Sequence, residues 1–504
     1  MIEVEVHQQL RAFLRQQGEP DWPHYLTMAR LVARALRLGR SALIQTVPTG
    51  SDRSHRLGYL APLLLWPERS ILVATERVQQ RLLSVELPRL RQWMPTAKPI
   101  HQGDRWPESL SGRSFQGLLL ATPEAWLRDR LLGETRFPDH IPTLIEGADD
   151  LEAWINQLRT VSLTPEDWES LRLACPLHSD LIRETRVQLT HAVFRHPANP
   201  YHCHRLEAEE LEPLRSLLQH LEPSCLPQPW PRLQTTLGQA DVLCWSDLDR
   251  DRGTQQISAR SLTSAATLAP IWQRQPLVLL GEALDLAPDA AHFRQHLGLG
   301  EMTCVKFSPD RHTSQIQLYT PERLPLPNTP HYQAALLNEL RRLLTLSNTV
   351  PGPAVLVVDD VPLKSRVGSI LAAEFGSRVQ VERTCLDENS ILISGLEFWI
   401  THQDVLPAPQ MLVIATLPFP TLEHPLVAGR VAYYKRQRED WFRNYLLPQC
   451  LSNLQRAIAP ARESQGLVAL LDTRVLHRSY GQQILSALSP AARIDYLDPQ
   501  LFQS

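Results

Sequence analysis

The segment that most constrains the fold is residues 47–54, which read Val-Pro-Thr-Gly-Ser-Asp-Arg-Ser. It follows an apolar run at 42–44 and precedes a stretch with helical apolar spacing at 57–65. A strand, a short loop and a helix in this order form the context of a phosphate-binding loop of the type G-x-x-x-x-G-K-[S/T]. The segment therefore predicts an α/β domain with a phosphate loop near its start.

Only part of this loop keeps the residue types that phosphate binding needs. Thr49, Gly50 and Ser54 fit the pattern. Arg53 occupies the lysine position and keeps the charge, but its guanidinium is planar and larger than an ammonium. Asp52 places a carboxylate where backbone amides should face phosphate, which is repulsive. We expect Thr49, Gly50, Arg53 and Ser54 to contact a nucleotide, with Ser54 also a candidate Mg²⁺ ligand.

Apolar runs alternate with helical segments over residues 41–150 and again from 310 onward. This alternation is typical of parallel sheets covered by helices on both faces. The predicted regions are a first α/β lobe at 1–150, a mainly helical insertion at 151–255, the end of the first lobe at 256–309 and a second α/β lobe at 310–504. A proline-rich stretch at 318–331 is a candidate linker.

Composition excludes a strongly basic nucleic-acid-binding class, because 54 acidic residues face 51 basic ones and the formal net charge is −3. No stretch approaches the roughly 18–20 apolar residues of a membrane helix. The amino-terminal residues carry neither the basic region nor the apolar core of a signal peptide. The seven cysteines are scattered, which favours free thiols in a reducing compartment. A cytoplasmic location without membrane contact is therefore expected.

Several stretches of the chain resemble, in the right order, the DinG/XPD-type branch of superfamily 2 DNA helicases. They are 293–299 (Phe-Arg-Gln-His-Leu-Gly-Leu), Phe398-Trp399 with Asp404, 417–420 (Leu-Pro-Phe-Pro), 424–427, 442–448, 471–474 and 479–481. The resemblance implies two RecA-like P-loop lobes, an arch-like helical insertion in the first lobe, ATP between the lobes and single-stranded DNA bound across them.

The resemblance also places the residues that handle the adenine ring, the metal and the attacking water. Tyr25 occupies the position of the adenine-reading glutamine, and one hydroxyl cannot reproduce the paired donor and acceptor of an amide. The strand ending at Glu146 corresponds to the acidic motif, where Glu146 is a candidate Mg²⁺ ligand and catalytic residue. Gly147 occupies the position of the general base and has no proton acceptor, and Asp149 replaces the motif's histidine.

The motifs assigned to the cleft-facing edges of both lobes are also altered. The third motif reads Gly281-Glu282-Ala283 in place of Ser-Ala-Thr. Asp404 falls in the fifth motif with one residue inserted before it, and Gln455 opens the sixth motif; both are candidate cofactor contacts. In the sixth motif the outer arginine is Arg462, a candidate catalytic arginine, whereas the inner one is replaced by Ala459. Such arginines contribute about 10³–10⁵ in rate where they act.

The family's iron–sulfur cluster normally lies on four cysteines between the first and second motifs. Here the first cysteine is Cys175, which follows the second motif. We therefore expect no iron–sulfur cluster.

Three further groups of residues have two interpretations each. The stretches 175–178 and 202–204 contain cysteine and histidine, which are either metal ligands or polar loop residues. The arginines of the insertion form either a DNA-facing stripe or a solvated helix face: Arg172, Arg183, Arg186 and Arg195. Phe398 and Trp399 either stack on bases or pack in the core.

The expected function is a DinG-like helicase homologue that binds nucleic acid with impaired or lost ATP hydrolysis, a pseudoenzyme derived from DNA repair machinery. One alternative is an active ATP-dependent DNA helicase that uses the substituted residues. Another is a protein-interaction scaffold that binds neither ATP nor DNA. ATP and Mg²⁺ are expected to bind weakly, single-stranded DNA is the expected partner, and a protein partner fits the scaffold alternative.

Overall fold

A computed structural model describes residues 2–17, 24–47, 54–94, 98–107, 115–262, 265–309, 311, 313–347, 352–387 and 389–495. The chain divides into two compact units. The first consists of Met1–Leu151, Ala265–Phe419 and Pro448–Ser504, and the second of Glu152–Ser264 and Pro420–Leu447. The first unit contains the residues of both predicted lobes except 256–264 and 420–447. Over the described residues, none of the helices combines the length and the apolar composition that crossing a membrane requires.

The first lobe begins with two helices and then alternates strands with helices. Its elements up to the insertion are α1 Ile2–Gln17, α2 Tyr25–Leu38, β1 Ala42–Gln45, α3 Leu57–Leu65, β2 Ser70–Val73, α4 Glu76–Arg81, α5 Leu87–Trp93, β3 Ile100–Gln102, β4 Leu118–Ala121, α6 Pro123–Leu132 and β5 Thr143–Glu146. A π-helical turn, Leu82–Glu86, joins α4 to α5. α2 ends at Gly39, whose φ of 57° is the left-handed conformation that glycine adopts without strain. Strands β1, β2, β4 and β5 are buried along their whole length, as in a parallel sheet covered on both faces.

The insertion contains helices and a small antiparallel sheet. Its elements are α7 Leu151–Arg159, β6 Val161–Leu163, α8 Pro165–Ala174, α9 Ser179–Arg195, β7 Cys203–Arg205, α10 Ala208–His220, α11 Trp230–Leu237, β8 Val242–Asp249 and β9 Thr254–Ser261. Besides these helices, the insertion contains a four-stranded sheet, ordered β6-β9-β8-β7, that the sequence did not indicate. β9 crosses the predicted boundary at 255, because it pairs with β8 along its whole length and therefore stays with the insertion.

After the insertion the chain returns to the first lobe. The elements are α12 Ala265–Trp272, β10 Leu277–Gly281, α13 Ala291–Leu297 and β11 Thr303–Lys306. The first sheet has the order β11-β1-β10-β5-β2-β4-β3. β10 lies between β1 and β5, and all three run parallel. The carboxyl ends of these strands, where the phosphate loop and the second and third motifs begin, therefore meet at one edge.

The second lobe is a second parallel sheet flanked by helices. In chain order the elements are β12 Ile316–Tyr319, α14 Tyr332–Ser347, β13 Ala354–Val357, α15 Val361–Phe375, β14 Val379–Val381, β15 Ile391–Ser394, α16 Leu396–His402, β16 Met411–Ile414, α17 Pro425–Arg436, α18 Leu447–Ala457, α19 Ala459–Glu463, β17 Leu467–Leu470, α20 Arg474–His477, α21 Gly481–Ala487 and β18 Ala491–Ile494. The strand order is β14-β15-β13-β16-β17-β12-β18. The predicted linker at 318–331 begins inside β12, which pairs with β17 and β18. Two parallel-sheet α/β lobes confirm the predicted fold class.

One helix of the second lobe's sequence, α17, packs within the second compact unit against the insertion strands. Gly429 lies so close to β8 that a Cβ there would stand 2.3 Å from Leu243 Cδ1. The guanidinium of Arg430 lies 4.1 Å from the Tyr445 ring centroid and forms a 2.5 Å ion pair with Glu152. The second unit is thus one packed body built from two distant chain segments.

Candidate nucleotide cleft

A cavity of about 260 Å³ lies at the carboxyl edge of the first sheet, and both lobes line it. The lining residues are Gln45, Thr46, Glu282, Leu286, Lys306, Phe307, Ser308, Pro309, Arg311, Gln455, Arg462, Ser486, Ala487, Ser489 and Pro490. Of the sequence-predicted contacts, Gln455 and Arg462 reach this cavity. Its volume falls below the roughly 300–1,000 Å³ of most small-molecule sites.

Glu146, the candidate metal ligand, is held by two side chains that follow the phosphate loop. The Nε of Arg56 donates to Glu146 Oε1 at 2.8 Å, and the hydroxyl of Tyr59 donates to Oε2. Arg56 also forms an ion pair of 3.5 Å with Glu86. All four side chains are buried, with Arg56 only 2% exposed. The guanidinium of Arg56 thus lies beside the Glu146 carboxylate, where a bound cation would otherwise be expected.

Electrostatics keep this cluster in one protonation state. Burial alone would raise the pKa of Glu146, but the charge of Arg56 and the hydrogen bonds from Arg56 and Tyr59 bring that pKa below its usual value. Burial and the charge of Glu146 raise the pKa of Tyr59 well above its usual value. The glutamate is therefore ionised and the phenol protonated. A Mg²⁺ ion would have to displace both donors, so the described residues do not fit a metal site at Glu146. The side chain of Ser54 lies outside the described residues.

The rest of the acidic motif is used for internal hydrogen bonds. Gly147 adopts a left-handed φ of 79° and opens the turn after β5. The Asp149 carboxylate accepts hydrogen bonds from the backbone N–H groups of Glu282 at 2.8 Å and Ala283 at 2.6 Å. Burial raises the pKa of Asp149 despite these bonds. Asp149 therefore links the second motif to the third.

Two ion pairs join the first lobe to the second. Arg456 pairs with Asp150 at 2.9 Å, and Asp404 pairs with Arg77 at 3.3 Å. Asp404, predicted as a cofactor contact, therefore faces a first-lobe arginine and does not line the cleft cavity. Arg456 was not anticipated by sequence reasoning, since its only signal is its place between Gln455 and the expected arginines of the sixth motif.

Arg462 is fully engaged by the second lobe itself. Its two terminal nitrogens donate to the backbone carbonyls of Ser314, Leu488, Ser489 and Pro490 at 2.9–3.3 Å. The residue is 4% exposed, and burial lowers its pKa to about 10. The side chain thus fixes neighbouring loops at the cavity wall. Gln455 donates to the carbonyl of Leu451 at 3.4 Å within its own helix.

The remaining predicted contacts are buried or fall outside the described residues. Tyr25 is 1% exposed and belongs to the apolar core of the first lobe. Thr49, Gly50 and Arg53 lie outside the described residues, so their contacts stay predictions. Sequence reasoning missed Lys306, whose ammonium donates to the carbonyls of Asp285 and Leu286 at 2.7 and 3.0 Å.

The structure gives the surroundings of Trp399 and of the histidines in the insertion, for which the sequence left two interpretations open. Trp399 is fully buried and donates to the carbonyl of Ala457 at 2.8 Å, in agreement with core packing. His196 bonds Glu210 at 2.8 Å and stacks on His204 with centroids 5.0 Å apart. Among the residues that the structure describes, no three His, Cys, Asp or Glu side chains are grouped so that they could hold a metal ion.

The fold, with two parallel-sheet lobes and a cavity that both of them line, is similar to that of XPD helicases. The family model described as a helicase C-terminal domain matches residues 407–491. The chain is 23% identical over 231 residues to the ATP-dependent DNA helicase YoaA of Haemophilus influenzae, and 21% identical over 227 residues to that of Escherichia coli. Each match covers 43% of this chain and 36% of the relative, so the chain matches little more than a third of these relatives' length.

Solved structures show the same fold over nearly the whole chain. The S. tokodaii Xpd4 structure has a TM-score of 0.60 at 12% identity, with 94% of this chain and 100% of that chain covered. A second XPD helicase structure has the same TM-score, identity and coverage. Together these matches confirm the resemblance to the DinG/XPD-type branch of superfamily 2 helicases.

Proposed function

We propose that the chain is a DinG-like helicase homologue that binds nucleic acid and hydrolyses ATP far more slowly than a working motor, or not at all. The observation that carries this proposal is the pairing of Glu146 with Arg56 and Tyr59. Both carboxylate oxygens accept hydrogen bonds from the chain itself, so the group that would hold Mg²⁺ is engaged. ATP and Mg²⁺ would accordingly bind weakly, and no iron–sulfur cluster would be present.

Three further residues support lost turnover. Gly147 offers no acceptor for the proton of an attacking water. Asp149, the next carboxylate in the motif, accepts backbone hydrogen bonds and has a pKa raised by burial. Arg462 donates to four backbone carbonyls, so it is not available to stabilise charge on a phosphoryl group.

Nucleic-acid binding would depend on a local surface, because the net charge of the chain is −3. One candidate surface runs from the end of α17 into the turn that follows. There the ammonium of Lys435 lies 5.4 Å from the Trp441 ring centroid, and Lys435, Arg436 and Arg443 are exposed. Cations beside a half-buried indole are the chemistry of a single-strand stacking surface.

The arginines of the insertion give weaker support for a DNA-facing stripe. Arg172 and Arg186 pair with Glu169, and Arg183 pairs with Asp180. Such pairs on a helix surface are typical of a solvated face.

The arginines of the α17 surface are paired as well, Arg436 with Asp241 at 3.2 Å and Arg443 with Asp440 at 3.7 Å. The contact between Lys435 and Trp441 is therefore what favours α17 and the following turn as the nucleic-acid contact.

A specific observation also favours the scaffold alternative. The pairs Asp150–Arg456 and Arg77–Asp404 join the two lobes through side chains of the chain itself. Contacts of this kind would hold the lobes together and present a fixed surface to a protein partner.

Phosphate release and DNA binding, measured on the full chain, separate these functions. We expect no DNA-stimulated phosphate release with Mg²⁺ and a single strand. Turnover of about 1 per second or faster would overturn the proposed loss of ATP hydrolysis and favour the active-helicase alternative. In fluorescence anisotropy, we expect weak binding of a labelled single strand that falls steeply with salt. Trp441→Ala should weaken binding by about 1–3 kcal/mol, whereas Arg183→Ala should not. No anisotropy change at low salt would favour the scaffold, and a pull-down for protein partners would follow.

A further inference from the structure

A second cavity, of about 870 Å³, lies in the first lobe and has no lining residue in common with the cleft. It is lined by residues 105–107, 129–130, 133–139 and 274. The loop after α6 leads into β5, and Arg274 precedes β10; His140 N–H donates to the Arg274 carbonyl at 3.0 Å. Residues 129–139 lead into β5 and Arg274 precedes β10, whereas residues 105–107 follow β3. None of the residues that line this cavity also lines the cleft, so the two cavities are separate sites.

One wall of this cavity is a buried ion-pair network centred on Asp129 and Arg130. Arg130 pairs with Asp129 at 2.7 Å, and its terminal nitrogens donate to the carbonyls of Phe137 and Pro138 at 3.1 and 3.0 Å. The Asp129 carboxylate accepts from the backbone N–H groups of Arg136 and Phe137. Asp129 and Arg130 are 1% and 3% exposed. The network holds the wall rigid and neutralises the buried charges with one another.

The cavity also carries donors and positive charge that this network does not use. Arg105 and Arg274 are exposed, and within the described part of the chain neither side chain makes an ion pair or a hydrogen bond. Two buried donors, Nε1 of Trp106 and Nε of Arg130, find no acceptor among the described residues. Burial and the nearby charge of Arg274 lower the pKa of Arg130. Two carboxylates also line the cavity, and each is paired: Glu134 with Arg136 at 2.7 Å and Asp139 with Arg130 at 3.1 Å. Among the described lining residues, the groups left without a partner are donors, on Arg105, Arg274, Trp106 and Arg130.

We propose that this cavity binds a phosphate-bearing ligand of nucleotide size, with Arg105 and Arg274 on the phosphate and Trp106 beside the planar ring. A phosphate monoester carries about −1.5 to −2 charges at pH 7, which matches two unpaired guanidinium groups. Guanidinium also matches the geometry of phosphate oxygens, two at a time. The phosphate group of the ligand brings acceptors only, as the unpaired N–H groups require.

The size and the apolar part of the cavity distinguish a nucleotide from free phosphate. A volume of about 870 Å³ falls in the range of sites that enclose small molecules and exceeds what one phosphate needs. The side chains of Trp106, Pro107 and Phe137 give part of the lining an apolar character suited to a base or a similar ring. The site does not depend on the cleft, so it is independent of whether ATP is hydrolysed.

Titration calorimetry with adenosine monophosphate, inorganic phosphate and adenosine, on the full chain without Mg²⁺, tests the proposal. We expect saturable binding of the monophosphate, weaker binding of phosphate and none of adenosine. Arg105→Gln and Arg274→Gln should each weaken binding about 10-fold or more. Both residues are exposed, so the variants should fold, which circular dichroism would check. Arg311→Gln, which changes an exposed arginine lining the cleft, should leave binding unchanged.

The competing outcomes are distinct. An oligothymidylate that displaces the monophosphate, and no longer does so in the double arginine variant, would identify a nucleic-acid strand as the source of the phosphate and would support the site. No saturable heat at millimolar monophosphate would overturn the proposal. Binding that survives in the double variant but is lost in Arg311→Gln would assign the ligand to the cleft. Binding of an acidic peptide with none of the monophosphate would also overturn the proposal.

Discussion

Replacement of Arg56 by methionine should destabilise the first lobe more than any single surface change. Arg56 is 2% exposed and compensates two buried carboxylates, Glu146 at 2.8 Å and Glu86 at 3.5 Å. Removal of one partner from a buried ion pair costs about 3–5 kcal/mol, because the other charge stays buried and unpaired. For a domain of this size each kcal/mol shifts Tm by about 2–4 °C, so a fall of about 6–20 °C is expected.

Urea unfolding followed by tryptophan fluorescence measures this cost, and Arg81→Met provides the matched control. Arg81 bonds the same Glu86 at 3.2 Å but is 42% exposed, so its loss should cost no more than about 1 kcal/mol. A similar cost for both variants would refute the role assigned to Arg56.

The same variant should show a defined pH dependence. The folded-state pKa of Glu146 is lowered, so its ionisation contributes stability above its unfolded-state pKa, and that contribution is lost as pH falls through the folded-state pKa. The difference between the wild type and Arg56→Met should therefore shrink on acidification below about pH 4, near the usual pKa of a glutamate. A difference that stays constant down to pH 3 would show that Glu146 is not the group involved.

Two further changes test the contacts around the cleft. Arg456→Gln should lower the free energy of unfolding by less than about 1 kcal/mol, because Arg456 and Asp150 are 24% and 42% exposed. The effect should decrease with added salt, so a large decrease in the urea midpoint that does not depend on salt would contradict this. Arg462→Met should cost about 3 kcal/mol or more, because four carbonyls lose a charged donor, and Arg462→Lys should recover part of it. If Arg462→Met unfolds at the same urea concentration as the wild type, the structural role assigned to Arg462 is wrong.

The buried strands could be predicted because each is a continuous apolar run. β4 and β13 read Leu-Leu-Leu-Ala and Ala-Val-Leu-Val and are buried throughout. The edge strands β3 and β14 could not be predicted in this way, because they have three residues each and are partly exposed. The β8–β9 hairpin was also missed, because polar residues such as Asp247 interrupt its apolar pattern and its turn at 250–253 is longer than two residues.

The order of the motifs predicted where the cleft residues lie along the chain, but it did not predict which side chains they contact. Glu146 and Arg56 are 90 residues apart, and Asp150 and Arg456 are 306 residues apart. No local pattern indicates that an arginine after the phosphate loop turns towards the acidic motif. Whether a carboxylate is open to a ligand depends on such distant side chains, so sequence position alone could not decide it for Glu146.

Because α17 packs against β8, substitutions in these two segments are expected to be coupled, although the segments lie far apart in the chain. Gly429 leaves no room for a side chain beside Leu243, so a substitution at either position constrains the other. A fragment that ends between the lobes would keep Leu243 and lose Gly429, exposing the apolar surface that they share. If the segment containing α17 were replaced by that of a relative, the new helix would meet a β8 surface to which it is not matched. A chimaeric chain is therefore expected to fold only if the segments containing β8 and α17 are exchanged as a pair.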